Sequence, residues 1–545
     1  MTLTETPEKV VVGAGAGGLC RKGWTSADLL TSAHRLTTPL VRDRRGGPLR
    51  PAGWEEALDR VAAGFRRAQD TGGPDGVAVF GGGGLTNEKA YLLGKFARIV
   101  LRTSQIDYNG RFCMSSAAAA GNRAFGVDRG LPFPLADISA ADCVLLVGSN
   151  VAETMPPFMQ RLGQGRDLIV IDPRRTATAD AATLHLAPQP GTDLALANGL
   201  LFLAIELDLV DHDYLQARTT GWSAVRQSVA GYWPARVERL TGVAEADLRA
   251  AVQLLAAART AMILTARGAE QHAHGVDTTT AWINLALALG LPGRPGSGFG
   301  TLTGQGNGQG GREHGQKADQ LPGYRSISDP SARAHVAAVW GIDPDELPGP
   351  GRSAYELLDA LGTAGGPSAL LLLGSNPVVS APNARQVADR IAGLDFLVVA
   401  DLVLSETAAL ADVVLPTAQW AEEDGTTTNL EGRVLLRRKA IDPPPGVRTD
   451  LQILSALAAR LGRPTGFPTD ASAAFDELRA ASAGGIADYA GISYERLEAG
   501  EQLHWPCPST EHPGTPRLFA SSFGTPDGRA RFFAVEQPVE AEPVS

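Results

Sequence analysis

Short apolar runs alternate with amphipathic segments along most of the chain. In residues 54–68 the apolar positions recur with the period of an α-helix, and the apolar run 77–80 that follows predicts a buried strand. Residues 87–101 and 195–206 indicate further helices. Strands that alternate with helices are typical of an α/β protein with open sheets, and we expect that fold class here.

Two segments of the chain repeat one series of elements. An apolar run ends in Gly-Ser-Asn at residues 148–150 and again at residues 374–376. A second apolar run follows in each segment and ends in an acid, Asp172 or Asp401. A third apolar run completes both copies. The near-equal spacing predicts two related, open Rossmann-like α/β domains.

This series is that of a nucleotide-binding βαβ unit. In such units the glycine turn approaches phosphates, and an acid about 20 residues further on binds ribose hydroxyls or base amines. We therefore interpret each copy as a dinucleotide site at the carboxyl ends of its strands. A duplicated α/β fold that binds no nucleotide is the alternative.

Two polar stretches depart from this alternation, the glycine-rich residues 293–315 and residues 423–433. A glycine-rich loop loses much conformational entropy when it becomes ordered, so it is either flexible or held by a large ligand. The first stretch carries Gln, Asn, Arg and His side chains without an apolar anchor. Both stretches therefore favour a bound polar ligand over a flexible linker.

Cys113 lies in a polar turn that leads into the small residues 117–121, which predict a closely packed helix. A thiolate at a helix N-terminus is stabilised by the helix dipole and by free N–H groups, which makes it a good nucleophile or soft-metal ligand. The other interpretation is a buried cysteine that serves as a small apolar residue. Neighbouring motifs have to decide between the two.

Charge and composition exclude several classes of partner. The net charge is −10, and no block of basic residues opposes it, which argues against binding to nucleic acid or to anionic membranes. No apolar run reaches the roughly 18 to 20 residues that span a bilayer, and no signal peptide is evident. The four cysteines, at 20, 113, 143 and 507, are too scattered for a disulfide scaffold. We expect a cytoplasmic protein.

Taken together, these motifs resemble the bis-molybdopterin guanine dinucleotide oxidoreductases, and within them the assimilatory nitrate reductases of bacteria. The resemblance implies molybdenum-dependent reduction of nitrate to nitrite by oxygen-atom transfer. Formate oxidation on the same scaffold, or a non-catalytic member, are the alternatives. In formate dehydrogenases a histidine typically follows the metal-ligating residue, whereas Met114 follows Cys113 here. The motifs that carry the resemblance are Cys20-Arg21-Lys22-Gly23, Cys113-Met114-Ser115, both Gly-Ser-Asn turns, Gly191-Thr192-Asp193, Thr303-Gly304-Gln305, Arg312-Glu313 and residues 429–433.

The resemblance also implies roles for single residues. Cys113 would be the thiolate on molybdenum in Mo-bis(molybdopterin guanine dinucleotide). Met114, Gln305 and Arg312 would line the substrate pocket, where a guanidinium suits a planar oxyanion such as nitrate. Cys20 would bind a 4Fe-4S cluster, with Lys22 on the electron path to the nearer pterin. The implied cofactor-binding residues are Lys22, Gly148, Ser149, Asn150, Glu153, Asp172, Thr176, Gly191, Thr192, Asp193, Gly304, Gly374, Ser375, Asn376, Asp401, Ser405 and Glu406.

The chain departs from the family's pattern at both ends. The family's cluster uses four cysteines, three of them upstream of the equivalent of Cys20, and no cysteine precedes Cys20 here. A C-terminal β-barrel domain is expected to begin near the end of this chain. We therefore expect a trimmed chain that cannot build the 4Fe-4S cluster alone. Its electron donor would be a ferredoxin, a flavoprotein or an NADH-linked partner.

The same comparison implies a division of the chain into domains. The expected segments are a remnant of an N-terminal iron-sulfur domain at 1–51, an α/β domain around the cofactor at 52–140 with 365–470, a dinucleotide-binding α/β domain at 141–364, and a connector towards the missing domain at 471–545.

Overall fold

The structure is a computed structural model that describes residues 2–6, 9–13, 18–163 and 165–538. In the first two ranges it shows the backbone of a two-stranded antiparallel hairpin, Thr2–Thr6 with Lys9–Gly13. Residues 539–545 of the expected connector lie outside the described residues.

The chain forms two compact units, and each has a mixed α/β architecture. The seven-stranded unit comprises Met1–Phe112, Gln305–Asn429 and Arg433–Thr515. The five-stranded unit comprises Cys113–Gly304, Leu430–Gly432 and Pro516–Ser545. The chain thus crosses between units after residues 112, 304, 429, 432 and 515. The domain bounds expected from the sequence, after residues 51, 140, 364 and 470, stay a prediction.

Twelve strands form the two main sheets, and we number them along the chain. The order in the seven-stranded sheet is β2-β1-β12-β11-β10-β3-β4, in which the five strands from β12 to β4 are parallel and the pair β1 and β2 is antiparallel. The order in the five-stranded sheet is β9-β8-β5-β6-β7, and all its strands are parallel. The strands are β1 Leu40–Val41, β2 Arg50–Pro51, β3 Val77–Gly81, β4 Ile106–Tyr108, β5 Cys143–Val147, β6 Asp167–Ile171, β7 Leu184–Leu186, β8 Ala261–Thr265, β9 Gly298–Thr301, β10 Ala369–Leu373, β11 Phe396–Asp401 and β12 Val413–Pro416.

Helices cover the sheets, because strands that are apolar on both faces have to be buried on both. Every residue of β5 and of β10 is buried. The longest helix, Trp54–Gly72, begins where the apolar period predicts it. The seven-stranded unit also contains Arg21–Trp24, Asn87–Lys95, Pro330–Trp340, Ala354–Ala360, Pro377–Ser380, Ala384–Ala392, Asp450–Arg460, Ala471–Ser482 and Tyr494–Glu498.

The five-stranded unit is richer in helix between its strands. One helix, Gly110–Phe125, starts in the seven-stranded unit and continues into the five-stranded one. No helix in the described ranges is long and apolar enough to cross a bilayer. The other helices of this unit are Leu135–Ala140, Val151–Thr154, Ala177–Asp180, Asp193–Glu206, His212–Arg218, Trp222–Val229, Pro234–Thr241, Glu245–Ala257, Arg267–Glu270 and Gly275–Ala288.

The expectation of one continuous loop over residues 293–315 is wrong, because β9 lies inside it as an edge strand. Its glycines are there for packing. A Cβ on Gly298 would lie 2.5 Å from the ring of Phe133, and one on Gly300 would lie 2.5 Å from Leu131. The strand therefore forms from a glycine-rich sequence that β-propensity alone disfavours.

We predict that Gly298→Ala destabilises the protein. The added methyl group meets the buried Phe133 ring, and overpacking of this kind costs about 1 to 3 kcal/mol. The free energy of unfolding from urea titration, followed by circular dichroism, measures the loss. Gly163→Ala is the control, because its Cβ would meet only the carbonyl oxygen of Gln160, at 3.5 Å. Equal stability of the two variants would contradict the packing role.

Candidate active site

The turn Gly148-Ser149-Asn150 that follows β5, here called the corner after β5, is held together by hydrogen bonds of Asn150. Its Oδ1 accepts a hydrogen bond from Oγ1 of Thr178 at 2.8 Å, and that hydroxyl accepts one from the N–H of Ala152 at 3.0 Å. Gly148 adopts a φ of +61°, where glycine is favoured, and its N–H donates to the carbonyl of Ile171 at 2.9 Å. The turn is therefore tied to the end of β6.

The corner after β10, in the other unit, has the same bonds. Asn376 Oδ1 accepts from Oγ1 of Thr407 at 2.6 Å, and the N–H of Val378 donates to that hydroxyl at 3.3 Å. Gly374 adopts a φ of +63°, and its N–H donates to the carbonyl of Ala400 at 3.4 Å. The repeat in the sequence is therefore also a repeat of hydrogen bonds.

The acid that ends the second strand lies next to each corner. Asp172 is buried, and its Oδ1 accepts from the N–H of Arg174 at 2.9 Å. Asp401 accepts from the hydroxyl of Ser405 at 2.6 Å and from the N–H of Leu402 at 2.6 Å. Each copy thus places a carboxylate at the carboxyl edge of its sheet, as the repeat predicts.

Three further predicted residues surround these corners. Thr176 caps the helix Ala177–Asp180 by accepting from its third N–H at 3.2 Å. Glu406 accepts from Nδ2 of Asn376 at 2.7 Å, and this hydrogen bond lowers the pKa of Glu406. Glu153 is exposed on the short helix that follows its corner.

A cavity of about 420 Å³ opens at the carboxyl ends of β10 and β11, which is the size of a small-ligand pocket. Four polar atoms of its lining are buried without a hydrogen-bond partner among the described residues. They are Oγ of Ser375, Oγ1 of Thr417, Oε1 of Gln419 and Oδ1 of Asp450. Buried polar groups are normally paired, so these atoms fit a polar ligand. The predicted residues on this lining are Gly374, Ser375, Asn376, Asp401 and Ser405.

The lining of this cavity carries three acids and two bases, which are Asp401, Glu423, Asp450, Lys89 and Arg437. The buried ammonium of Lys89 pairs with Glu423 and, at 2.5 Å, with Asp450. Burial opposes the charge of Lys89, but the two carboxylates raise its pKa overall. Burial raises the pKa of Glu423 to about 7. With Asp401 as a third acid, the lining suits a ligand that donates hydrogen bonds.

In the five-stranded unit, the predicted residues Gly191, Thr192 and Asp193 lie at the start of the helix Asp193–Glu206. Gly191 adopts a φ of +85°, and Thr192 is buried. Burial raises the pKa of Asp193 to about 6, although the charge of His272 opposes this shift. Gly191, Asp193 and His272 line a small cavity of about 20 Å³. Ser149 is buried at the corner after β5.

Cys113 is half-buried in the first turn of the helix Gly110–Phe125, as its sequence context predicts. Arg267 lies beside it in the same unit, with Nη1 3.6 Å from Cys113 Sγ and 2.6 Å from Sδ of the buried Met114. Arg267 pairs with Glu270, which accepts from Oγ1 of Thr265 at 2.6 Å. Arg267 is not among the residues that the sequence predicts for the site. Its position after the apolar run of β8 was the available signal.

The stretch that includes Gln305 and Arg312 belongs to the seven-stranded unit. Residues 304–306 are exposed, whereas residues 307–316 are buried. Arg312 donates from Nε to the hydroxyl of Tyr324 at 3.0 Å and from Nη2 to Oε1 of Gln309 at 2.6 Å. Its role in a substrate pocket stays a prediction.

Several polar side chains for which the sequence predicts a ligand form hydrogen bonds with protein groups instead. Asn307 donates to the carbonyl of Leu85 at 2.7 Å and to Asn87 at 3.0 Å, and it accepts from the N–H of Thr428 at 2.7 Å. In residues 423–433, the strand Gly425–Thr428 pairs with Val434–Arg437 and buries Thr426 and Thr428. These side chains therefore have partners within the protein, and a ligand at the two stretches stays a prediction.

The polar atoms of the His314 and Gln316 side chains have no hydrogen-bond partner among the described residues. Both side chains are fully buried. Burial lowers the pKa of His314 to about 3, so the ring is neutral at physiological pH. The ring nitrogens of His314 and the amide atoms of Gln316 are therefore available to a ligand.

Cys20 immediately precedes the short helix Arg21–Trp24, which carries the exposed Lys22. A hydrogen bond from the backbone of Gly23 lowers the pKa of the Cys20 thiol. Within the described part of the chain, no three His, Cys, Asp or Glu side chains converge in a way that could hold a metal ion.

Comparison with known proteins gives one family. Residues 35–460 match the model of the molybdopterin oxidoreductases. The chain is 46% identical over 533 residues to the assimilatory nitrate reductase catalytic subunit of Bacillus subtilis (strain 168), covering 96% of this chain and 75% of that protein. It is 34% identical to a nitrate reductase of Synechocystis, covering 99% and 79% of the two chains. It is 35% identical to the F420-dependent formate dehydrogenase subunit alpha of Methanocaldococcus jannaschii, covering 96% and 76%.

A solved structure supports the fold alone. The acetylene hydratase from Pelobacter acetylenicus superposes with a TM-score of 0.76 at 20% identity, covering 98% of this chain and 75% of that one.

We predict that Asp193→Asn stabilises the protein near neutral pH. Because burial raises the pKa of Asp193 to about 6, the folded state resists ionisation that the unfolded state undergoes near pH 4. Wild-type stability therefore falls relative to the variant as the pH rises from about 4 to 6, by an amount on the order of 2 kcal/mol. Urea unfolding at a series of pH values measures the difference. A difference that is the same at pH 4 and pH 7 would contradict this assignment.

Proposed function

The chain belongs to the molybdopterin oxidoreductase family, and on that basis we propose that it reduces nitrate to nitrite. It is an oxidoreductase, and the family implies a molybdenum–pterin cofactor. The observation that carries the proposal is its 46% identity to an assimilatory nitrate reductase, against 35% to a formate dehydrogenase subunit.

The residues around Cys113 favour nitrate over formate as the substrate. Formate oxidation releases a proton, and the thioether of Met114 cannot accept one. Reduction of nitrate instead consumes two electrons and two protons and yields nitrite and water. It requires that an oxyanion be held beside the metal ligand, and the guanidinium of Arg267 lies 3.6 Å from Cys113 Sγ.

In this proposal the chain's own residues hold and shield the reacting group. When bound, the molybdenum centre supplies the two-electron oxygen-atom transfer. Cys113 would be its protein ligand, since a thiolate suits a soft metal. The buried Met114 would present an apolar surface that excludes water. Gln305 and Arg312 are proposed as further substrate-binding residues.

We propose the bis-guanine dinucleotide form of the cofactor, with one dinucleotide for each repeated corner. Carboxylates accept hydrogen bonds from guanine N–H groups and ribose hydroxyls, and the unpaired Ser375 and Asp450 atoms fit such a ligand. His314 and Gln316 would offer their free polar atoms to a pterin. The residues that would hold the dinucleotides are Gly148, Ser149, Asn150, Glu153, Asp172, Thr176, Gly191, Thr192, Asp193, Gly304, Gly374, Ser375, Asn376, Asp401, Ser405 and Glu406.

Electrons would arrive one at a time from a partner protein. Cys20 and Lys22 would belong to a path through a 4Fe-4S cluster, and a ferredoxin, a flavoprotein or an NADH-linked protein would be the donor. These assignments, like the cytoplasmic location, stay predictions.

We predict that Cys113→Ala abolishes nitrate-dependent oxidation of reduced viologen. The variant removes the proposed protein ligand, so turnover per molybdenum, with the metal counted by mass spectrometry, should vanish. Cys143→Ala is the control, because that thiol is buried in β5. Substantial residual turnover would remove Cys113 from the mechanism. Formate turnover without nitrate turnover would favour the dehydrogenase, and wild-type protein that folds without molybdenum would favour a non-catalytic member.

We predict that Asp401→Asn lowers the guanine nucleotide content of the purified protein. An amide cannot replace the carboxylate as an acceptor for two N–H donors, so binding of one dinucleotide should weaken. The measurement is guanosine monophosphate released by acid, per chain. Asp359→Asn, an exposed substitution in the same unit, is the control. Unchanged nucleotide in Asp401→Asn would argue against this site.

A further inference from the structure

The guanidinium of Arg267 has donors that its protein partners do not use well. Nη2 pairs with the carboxylate of Glu270. Among the described residues, the contacts of Nη1 are two sulfur atoms, Met114 Sδ at 2.6 Å and Cys113 Sγ at 3.6 Å. Sulfur is a weak hydrogen-bond acceptor, so this N–H gains little. Nε is buried without a hydrogen-bond partner among the described residues. An oxyanion would be a better partner for Nη1 than either sulfur.

Arg267 is also held in place before any ligand arrives. Glu270 is almost fully buried and accepts a second hydrogen bond from Thr265, the last residue of β8. The side chain of Arg267 retains 22% exposure, so a small anion can reach it. An anchored guanidinium loses less side-chain entropy on binding than a free one would.

The fold brings this cation to the sulfur atoms. β8 lies next to β5 in the parallel sheet, so its carboxyl end lies at the edge where β5 makes its corner. Gly268 donates its N–H to the carbonyl of Gly148 at 2.9 Å, and a Cβ on Gly268 would lie 2.7 Å from that backbone. Ligands of open α/β sheets bind at the edge where strand order reverses, and Arg267 lies there.

We propose that Arg267 is a substrate-binding residue, which holds the planar oxyanion beside Cys113 while Glu270 positions the guanidinium. This inference rests on the proposed nitrate reduction and assigns its specificity for an anion to a residue of the five-stranded unit. Because Nη2 is held by Glu270, Nη1 is the nitrogen that would donate to an oxygen atom of nitrate, with the positive charge of the guanidinium beside the anion.

The test compares Arg267→Met with a control at the other end of the same strand. Arg259→Met removes an exposed guanidinium that precedes β8. The purified, molybdenum-loaded enzymes are assayed with reduced viologen for KM and kcat. Nitrate binding to the oxidised enzymes, which cannot turn over, is measured by calorimetry. Molybdenum per chain is counted by mass spectrometry.

We expect Arg267→Met to raise the KM and Kd for nitrate roughly 10- to 100-fold while kcat stays near wild type, the signature of a lost binding contact. Arg259→Met should change neither constant. Arg267→Lys keeps the charge without the planar fork and should be intermediate. Glu270→Gln should raise KM as well, because Arg267 loses its anchor.

An unchanged KM and Kd in Arg267→Met, with molybdenum retained, would overturn the inference while the proposed function stands. If Arg267→Met fails to load molybdenum, the same two constants in Arg267→Lys decide the question. A wild-type enzyme that neither binds nor reduces nitrate would overturn the proposed function, and this inference with it.

Discussion

The hydrogen bond between an asparagine and a threonine is the interaction on which each α/β unit depends. Asn150 with Thr178, and Asn376 with Thr407, join the turn after one strand to the segment after the next. The glycine before each asparagine adopts a positive φ, which lets the chain turn at once. Because the corner is rigid, the neighbouring acid is held at the sheet edge where a dinucleotide would lie.

Burial of polar groups sets a second constraint. Residues 307–316 place charged and amide side chains in the interior of the seven-stranded unit. Burying such groups costs folding free energy unless they are hydrogen-bonded. Asn87 and Thr428 supply partners to Asn307, and Gln309 and Tyr324 supply them to Arg312. A stretch whose composition suggests a loop is thereby made part of the core.

Several of the buried atoms without a partner among the described residues lie where a ligand is proposed. In the cavity beside β10 they belong to Ser375, Thr417, Gln419 and Asp450, and beside Cys113 the incompletely paired group is the guanidinium of Arg267. A protein that lost its ligands would gain nothing from such groups, since each costs about 1 to 3 kcal/mol when it is buried unpaired. Their grouping is a physical argument for a bound cofactor and an anionic substrate.

The sequence by itself determined the apolar strands, the duplicated Gly-Ser-Asn corners, the acids that follow them and the helical position of Cys113. These features depend on neighbours within about 30 positions, and period and spacing report such neighbours. The tertiary structure alone decided that Gly298–Thr301 is a strand, that Asn307 bonds to protein groups, and that Arg267 lies against Cys113 and Met114. Arg267 is 154 positions from Cys113, and strand order, which local pattern does not encode, places β8 beside β5.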